Sequence, residues 1–535
     1  LLTRIESKIF LEGSIRFHKG LNVVLGDDEG SNSIGKSTLL MIIDFVFGGN
    51  TYTSHNKDMI DKLGHHEFLY AFRFHNEDYY FIRDTKEPKF IYESNNSGEK
   101  LNPLKDIDFT RKLKELYKLE DNYLTFRSIV STFSRVWGKT NDDIKKPLHS
   151  FPNQKFTETV TNLIKLFNCY DPIKKQDTEL KTLNIKNKVL NKASKFELIP
   201  RITKRKYQQN IKRIQNLINE REKIKEKSYA PKMNFDEVVS DELIEIREEK
   251  NKLLDEKDYL MSRFNRTNKS INKNTDAGFD SLLEFFPEVN SQKLDEIESF
   301  HEGISSILTE ELKKAKKELR NQLKEINKQI NNLNKKQNQL INPDEEMNVF
   351  VEKLIEYTTE IKKLQEENEY YKQTHEIRTS AKESKEHLEE TKTEIVNDIS
   401  AKINTQIKEI NDTIHYDKRT APKLNLSYNR YDYKIFDNTG TGKAYTNLIL
   451  FDLAIFLLTK LPFIIHDSFL FKNIEKETVD QIIKYYNSFN KQIFIAIDLI
   501  NVYSNETQEV LQKKKIIQLS KDKLLTRKDW RDTNK

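Results

Sequence analysis

Between about residue 172 and residue 412 the chain nearly stops using glycine, and Lys, Glu, Asn, Gln, Leu and Ile take over with apolar residues in alternating steps of three and four. The clearest run is Phe350, Leu354, Tyr357, Ile361 and Leu364, with Asn368 and Tyr371 at the next two seam positions; Ile246, Leu253, Leu260, Phe264 and Ile271 share another register. So narrow a stripe is buried only when one helix lies against another, which predicts coiled coil. The flanks differ. "LNVVLG" and "EFLYAFRFH" before the helical stretch, and "PFIIHD", "KQIFIAID" and "KKIIQL" after it, are short apolar runs between turn signals, and they predict strands around helices.

Interruptions on the two arms of a helical hairpin should face each other. Pro231 and Pro343 are equidistant from Pro287. An antiparallel hairpin is therefore expected, with its tip at 277–294 and paired elbows at the outer prolines, since proline ends a helix. Arms of about 100 residues would reach on the order of 150 Å if straight. Separate helical domains are the alternative, because periodicity alone does not fix pairing. The expected division is 1–170, 171–412 and 413–535, with the two outer pieces meeting at the base of the hairpin.

Residues 30–40, "GSNSIGKSTLL", supply the chemistry. Gly30-x-x-x-x-Gly35-Lys36-Ser37 fits a P-loop: glycines let backbone N–H groups curl around phosphate oxygens, Lys36 neutralises the β and γ phosphates, and Ser37 places its hydroxyl on Mg²⁺. Ser33 and Ile34 lie within the loop and Thr38 follows it. A buried strand precedes the motif and an apolar helix follows, the order the mechanism needs. Such a loop requires a carboxylate at the end of a neighbouring buried strand to hold the magnesium, and Asp467, closing "LPFIIHD", is the candidate. ATP and Mg²⁺ are the expected ligands.

Composition bears on compartment and partners. With 33% charged and 36% hydrophobic residues, the 535-residue chain is too polar to be compact core throughout. Cys169 is the single cysteine, so a disulfide framework or Cys-x-x-Cys site is excluded, which suits the cytosol. No apolar run reaches the roughly 18 to 20 residues that span a bilayer. The opening "LLTRIESKIF" lacks the order of a signal peptide, and a soluble cytoplasmic protein is expected. The net charge of +6 is small beside 90 basic and 84 acidic residues, so nucleic-acid affinity must come from clustering. Residues 181–227 hold 15 Lys and Arg against 4 Glu; Lys204, Arg205, Lys206, Lys212 and Arg213 either meet phosphates of double-stranded DNA or form a solvated face. Residues 276–310 carry 9 acidic residues and one lysine, interleaved with Phe279, Phe285, Phe286, Val289, Phe300 and His301, and suggest a knob that binds itself or a protein partner. No ligand set surrounds His301, which reads as a packing residue.

"GSNSIGKSTLLMIIDFVFGG" (30–49) resembles the first nucleotide motif of the SMC and RecN ATPases, including Asn32, and "NTGTGKAYTNLILFDLAIFLL" (438–458) is similar to their signature motif. The resemblance implies an ABC-type α/β ATPase head built from N- and C-terminal lobes, with the coiled-coil hairpin inserted between them. It further implies that Thr439, Gly440 and Gly442, with Lys443 nearby, reach the γ-phosphate of ATP on a second copy. Within that group, "NSIGKST", "IDFVFGG", "FFPEVN" and "PFIIHDS" look most like the ATPase subunits of bacterial ABC-three-component defence systems, which include Lamassu. That likeness implies accessory subunits and a nuclease-like effector.

Two departures stand out. The glutamate expected after the magnesium Asp is Ser468, a poor base, and the switch histidine looks replaced by Asp498, which either supplies the base or caps a strand. Slow hydrolysis is expected. His466 precedes Asp467 and, by strand alternation, faces away from the nucleotide. A glutamine loop is sought in "YLTFRSIVSTF", which contains no Gln. A DNA-repair ATPase of RecN or RecF type and a nucleotide-binding scaffold with little turnover are the alternatives.

Overall fold

Both ends of the chain contribute strands to one sheet. In the computed structural model the N-terminal part forms β1 (Leu2–Glu6), β2 (Ser14–Arg16), β3 (Leu21–Leu25), β4 (Glu67–Phe74), β5 (Glu77–Asp84), β6 (Phe90–Ser94), β7 (Lys100–Lys105) and β8 (Ser134–Arg135). The C-terminal part forms β9 (Lys423–Ser427), β10 (Arg430–Lys434), β11 (Phe463–His466), β12 (Gln492–Ile497) and β13 (Lys515–Gln518). The fold is mixed α/β. Described residues are 1–31, 33–196, 199–228, 241–272, 291–340, 345–416, 419–436 and 441–531. They divide into two compact units, Leu1–Gln176 with His387–Lys535, and Asp177–Glu386.

In the first unit a five-stranded parallel sheet has the order β13-β3-β12-β11-β8. Strand β3, from the start of the chain, is held between two strands that arrive hundreds of residues later. Every residue of β3, β11 and β12 is buried, as continuous apolar runs covered on both faces must be. A six-stranded antiparallel sheet, β2-β1-β4-β5-β6-β7, forms the second layer. Helix Lys36–Val46 connects the layers. Phe47, just past its end, lies 5.1 Å from Phe72 of β4 and 4.0 Å from Phe463 of β11, centroid to centroid. Buried Arg83 of β5 donates to the carbonyls of Phe45 and Gly49 and to Asn50, satisfying groups that the helix end leaves unpaired.

The division places the end of the long helix Glu345–His415 differently from the sequence expectation of 412. From His387 onward it belongs to the first unit. There Val396, Ile399, Ile403, Ile407, Ile410 and Ile414 make a buried stripe, and Ser400 and Asn404 hydrogen-bond Leu424 of β9.

The second unit is helical. Helix Lys204–Ser228 runs antiparallel to Glu345–His415: Leu217 packs on Ile361 and Leu364, Arg213 binds Glu360 in a fork at 2.9 and 3.0 Å, and Tyr207 stacks on Tyr371 at 4.6 Å. Helix Asp241–Asn272 pairs antiparallel with Ser291–Leu340, burying Leu260 against Leu319, Leu323 and Ile326; Lys316 reaches Asn268 at 2.6 Å. Asp255 also pairs with Lys362, and Ser262 and Arg266 share a hollow with Lys204, Glu367 and Tyr371. Helix Asp241–Asn272 thus returns alongside the arm it left, antiparallel to Lys204–Ser228, so the straight reach of about 150 Å is not realised. Pro231, Pro343, Pro287 and the tip residues through 290 lie outside the described residues, as do the side chains of Phe300 and His301.

Candidate nucleotide-binding site

Strand β3 ends at Leu25, and the chain turns through a loop into helix Lys36–Val46. Gly35 is the N-cap, with φ of 108°, and a Cβ there would stand 2.4 Å from that of Leu525. Only glycine satisfies both conditions. The loop is braced by Asp27, whose carboxylate accepts from the Ser31 amide at 2.8 Å. Lys36 Nζ lies 2.8 Å from the Ser31 carbonyl and 2.8 Å from Asp498 Oδ1. Ile34 is buried, Ser33 is exposed, and Ser37 and Thr38 are half-buried at the first turn. Asn32 lies outside the described residues.

Ser37 donates its hydroxyl to Asp467 Oδ1 at 2.9 Å, across 430 positions of sequence. The carboxylate follows β11, and β11 is joined to β3 through β12. Asp467 Oδ1 also accepts from the Ser468 amide at 2.7 Å, and Oδ2 from the Trp137 amide at 3.1 Å. Burial pushes its carboxyl above the ordinary carboxylate range, and hydrogen bonds from Ser37, Trp137 and Ser468 partly offset this. A buried carboxylate beside a hydroxyl at the start of a P-loop helix is a donor set suited to a hard divalent cation such as Mg²⁺. Among the described residues no cluster of three or more His, Cys, Asp or Glu side chains forms a metal site by itself, so remaining ligands would come from nucleotide and water.

Ser468 begins a short 3₁₀ turn, and its hydroxyl lies 3.4 Å from Asp467 Oδ1. His466 is fully buried on the other side of the strand, with Nδ1 2.6 Å from the Tyr486 hydroxyl and Nε2 3.1 Å from Asp452. Asp452 in turn takes a fork from Arg135 at 2.8 and 2.6 Å, both side chains fully buried. A second buried cluster backs the P-loop helix. Asp44 accepts from Arg127 at 2.8 Å and Lys139 at 3.2 Å. Burial alone would raise the Asp44 carboxyl, but the two cations hold it well below its usual range, while burial lowers Lys139 to about 8.

The backbone that reaches Asp467 is that of Arg135 and Trp137, beyond the stretch "YLTFRSIVSTF" where the sequence places the search for a glutamine loop. Trp137 contributes a backbone amide, and its indole side chain is 61% exposed. An amide leaves no trace in composition, so this contact had no signal. The Arg135–Asp452 pair did leave one, because an acid within the apolar helix "LILFDLAIFLL" requires a buried base.

Thr439 and Gly440 lie outside the described residues. Gly442 opens helix Thr441–Leu458, and a Cβ there would stand 1.9 Å from the carbonyl oxygen of Asn473. Close backbone packing within its own unit thus requires this glycine. Lys443 makes interactions of its own, contributing to the positive surroundings that, after burial, lower His415 to about 4. Among the candidate DNA contacts, Lys204, Arg205, Lys206 and Lys212 are exposed on one helix, whereas Arg213 is already bound to Glu360.

Among the described residues no helix is long and apolar enough to cross a membrane. Residues 400–528 match a family described as an uncharacterised protein conserved in bacteria (DUF2326). No curated protein matches the chain. Similar solved structures include the Smc head domain with a coiled coil and joint derived from Pyrococcus yayanosii, at 14% identity over 98% of this chain and 96% of that one, with a TM-score of 0.39. Another is the Smc head domain with an extended coiled coil bound to the C-terminal domain of ScpA, derived from Pyrococcus furiosus, at 11% identity over 96% and 91% of the two chains, with a TM-score of 0.37.

Proposed function

We propose that this chain is an SMC-like ATPase that binds MgATP at the P-loop and sandwiches it between the heads of two copies. The observation that carries the reading is the hydrogen bond from Ser37 to Asp467, with Lys36 held in the loop that Ser37 closes. Lys36 and the loop amides would bind the phosphates, and Ser37 and Asp467 would hold magnesium. The cation supplies charge neutralisation at the β and γ oxygens. Thr439, Gly440, Gly442 and Lys443 of a second copy would close the site. Lys204, Arg205, Lys206 and Lys212 would take duplex DNA by its phosphates, with Arg213 fixing the helix through Glu360. Accessory subunits and a nuclease-like effector would read the change in head arrangement, in defence against phage or plasmids.

Equilibrium binding of ATP with magnesium tests the core of this reading. Lys36→Ala should weaken it by at least about 100-fold, since a charge-assisted contact to phosphate is lost; unchanged affinity would remove the P-loop from the account. The scaffold alternative is favoured by one feature: Ser468 is turned onto Asp467 and offers no carboxylate to a water. Ser468→Glu should raise steady-state phosphate release about tenfold or more if this position faces the attacking water. No change would favour a clamp that binds without turnover.

A further inference from the structure

Lys36 has an acidic partner within the chain, Asp498. Asp498 leaves the end of β12, and Leu499 immediately after it has φ of 55°, a left-handed turn that lets the carboxylate stay over the loop. The Leu499 amide binds the Asp27 carbonyl at 3.2 Å, and the Gly26 amide binds Ile497 at 2.8 Å, tying the two strand ends together. A Cβ on Gly26 would lie 1.9 Å from Asp498 Oδ1 and 3.1 Å from Lys36 Cδ. Absence of a side chain at Gly26 therefore makes room for both members of the pair. Their side chains are 7% and 10% exposed. Asp467 is engaged by Ser37 and two amides, and Asp27, whose carboxylate accepts from the Ser31 amide, adds negative charge near both Lys36 and Asp498.

We propose that Asp498 is a built-in occupant of the terminal-phosphate position: its carboxylate oxygen holds Lys36 as a phosphate oxygen would, and an incoming triphosphate must displace it. The inference rests on the P-loop reading above and assigns Asp498 a role other than that of base. Displacement leaves a carboxylate close to a γ-phosphate, and this like-charge contact disappears when only a diphosphate remains. Asp498 thereby weakens triphosphate binding more than diphosphate binding, and returns to Lys36 when the site empties. Burial, which raises the Asp498 carboxyl above its usual range against the pull of Lys36, marks the anion as poorly solvated and dependent on that partner.

The test is equilibrium binding of ATP and of ADP, each with magnesium, to the full-length wild type, Asp498→Asn and Asp498→Ala. Circular dichroism melts would check that all three are folded. ATP dissociation constants should fall by about tenfold or more in both variants, the scale of one unit of charge coupling, and ADP constants by clearly less. Unchanged or weaker ATP binding in the folded variants would overturn the proposal, as would loss of phosphate release with ATP affinity unchanged, the signature of a base. Wild type and both variants failing to bind either nucleotide would instead overturn the underlying P-loop reading, so the two failures are distinguishable.

Discussion

Asp452 sits in a helix whose neighbours Leu450, Phe451, Leu453, Ala454 and Ile455 are all fully buried, and its carboxylate is hydrogen-bonded to Arg135 and His466. Such a pair stabilises little relative to apolar residues of the same shape, yet losing one member strands the other charge in a dry interior. Asp452→Ala should therefore cost about 3–5 kcal/mol in denaturant unfolding followed by tryptophan fluorescence. The double variant Arg135→Met, Asp452→Leu should recover most of that loss. An equal loss in both would mean that the pair holds structure beyond its own charges. At this scale the legible residues were those whose chemistry resides in a side chain. Ser37 and Asp467, expected together from their side chains, are joined by a hydrogen bond, whereas Trp137 reaches Asp467 through its amide. Gly442 also has a packing duty, which its neighbours in sequence do not announce, against the carbonyl of Asn473.

At the level of elements, periodicity identified the seams and left their partners open. Ile361, Leu364, Asn368 and Leu260 are buried, as seam positions should be. A heptad states that a face needs covering, not which of several similar helices covers it. That is why the return of helix Asp241–Asn272 along its neighbour was not legible, even with the prolines placed symmetrically. The apolar seam should dominate the stability of this bundle. Leu323, 8% exposed against Leu260, should cost about 2–3 kcal/mol when changed to Ala. Lys362→Ala, which breaks the Asp255 pair with the lysine side chain 55% exposed, should cost less than about 1 kcal/mol. Urea unfolding monitored by circular dichroism at the helical band would measure both, and the reverse ranking would mean that charge pairs organise the bundle.

On the scale of the whole molecule, the two units carry different probes. Both tryptophans, Trp137 and Trp530, belong to the first unit, while much of the helical signal comes from the second. ATP with magnesium at about 100 times its dissociation constant should add about 2.7 kcal/mol to the unit that binds it. The unfolding midpoint seen by tryptophan emission should then rise by several degrees, and part of the helical signal should melt where it did before. A uniform shift of both signals would show that the units unfold as one cooperative body.

The contact of Gly35 with Leu525 has a consequence for how the protein is made. Thr526 bridges back to Phe10, and the Leu525 amide binds the Ile34 carbonyl. A ribosome makes that loop some 490 residues before its backing at Leu525, and makes β3 long before the β12 and β13 that flank it. Throughout that interval, therefore, the earlier strands have buried faces with nothing yet to cover them, and the cell must keep them from foreign partners until the later strands arrive.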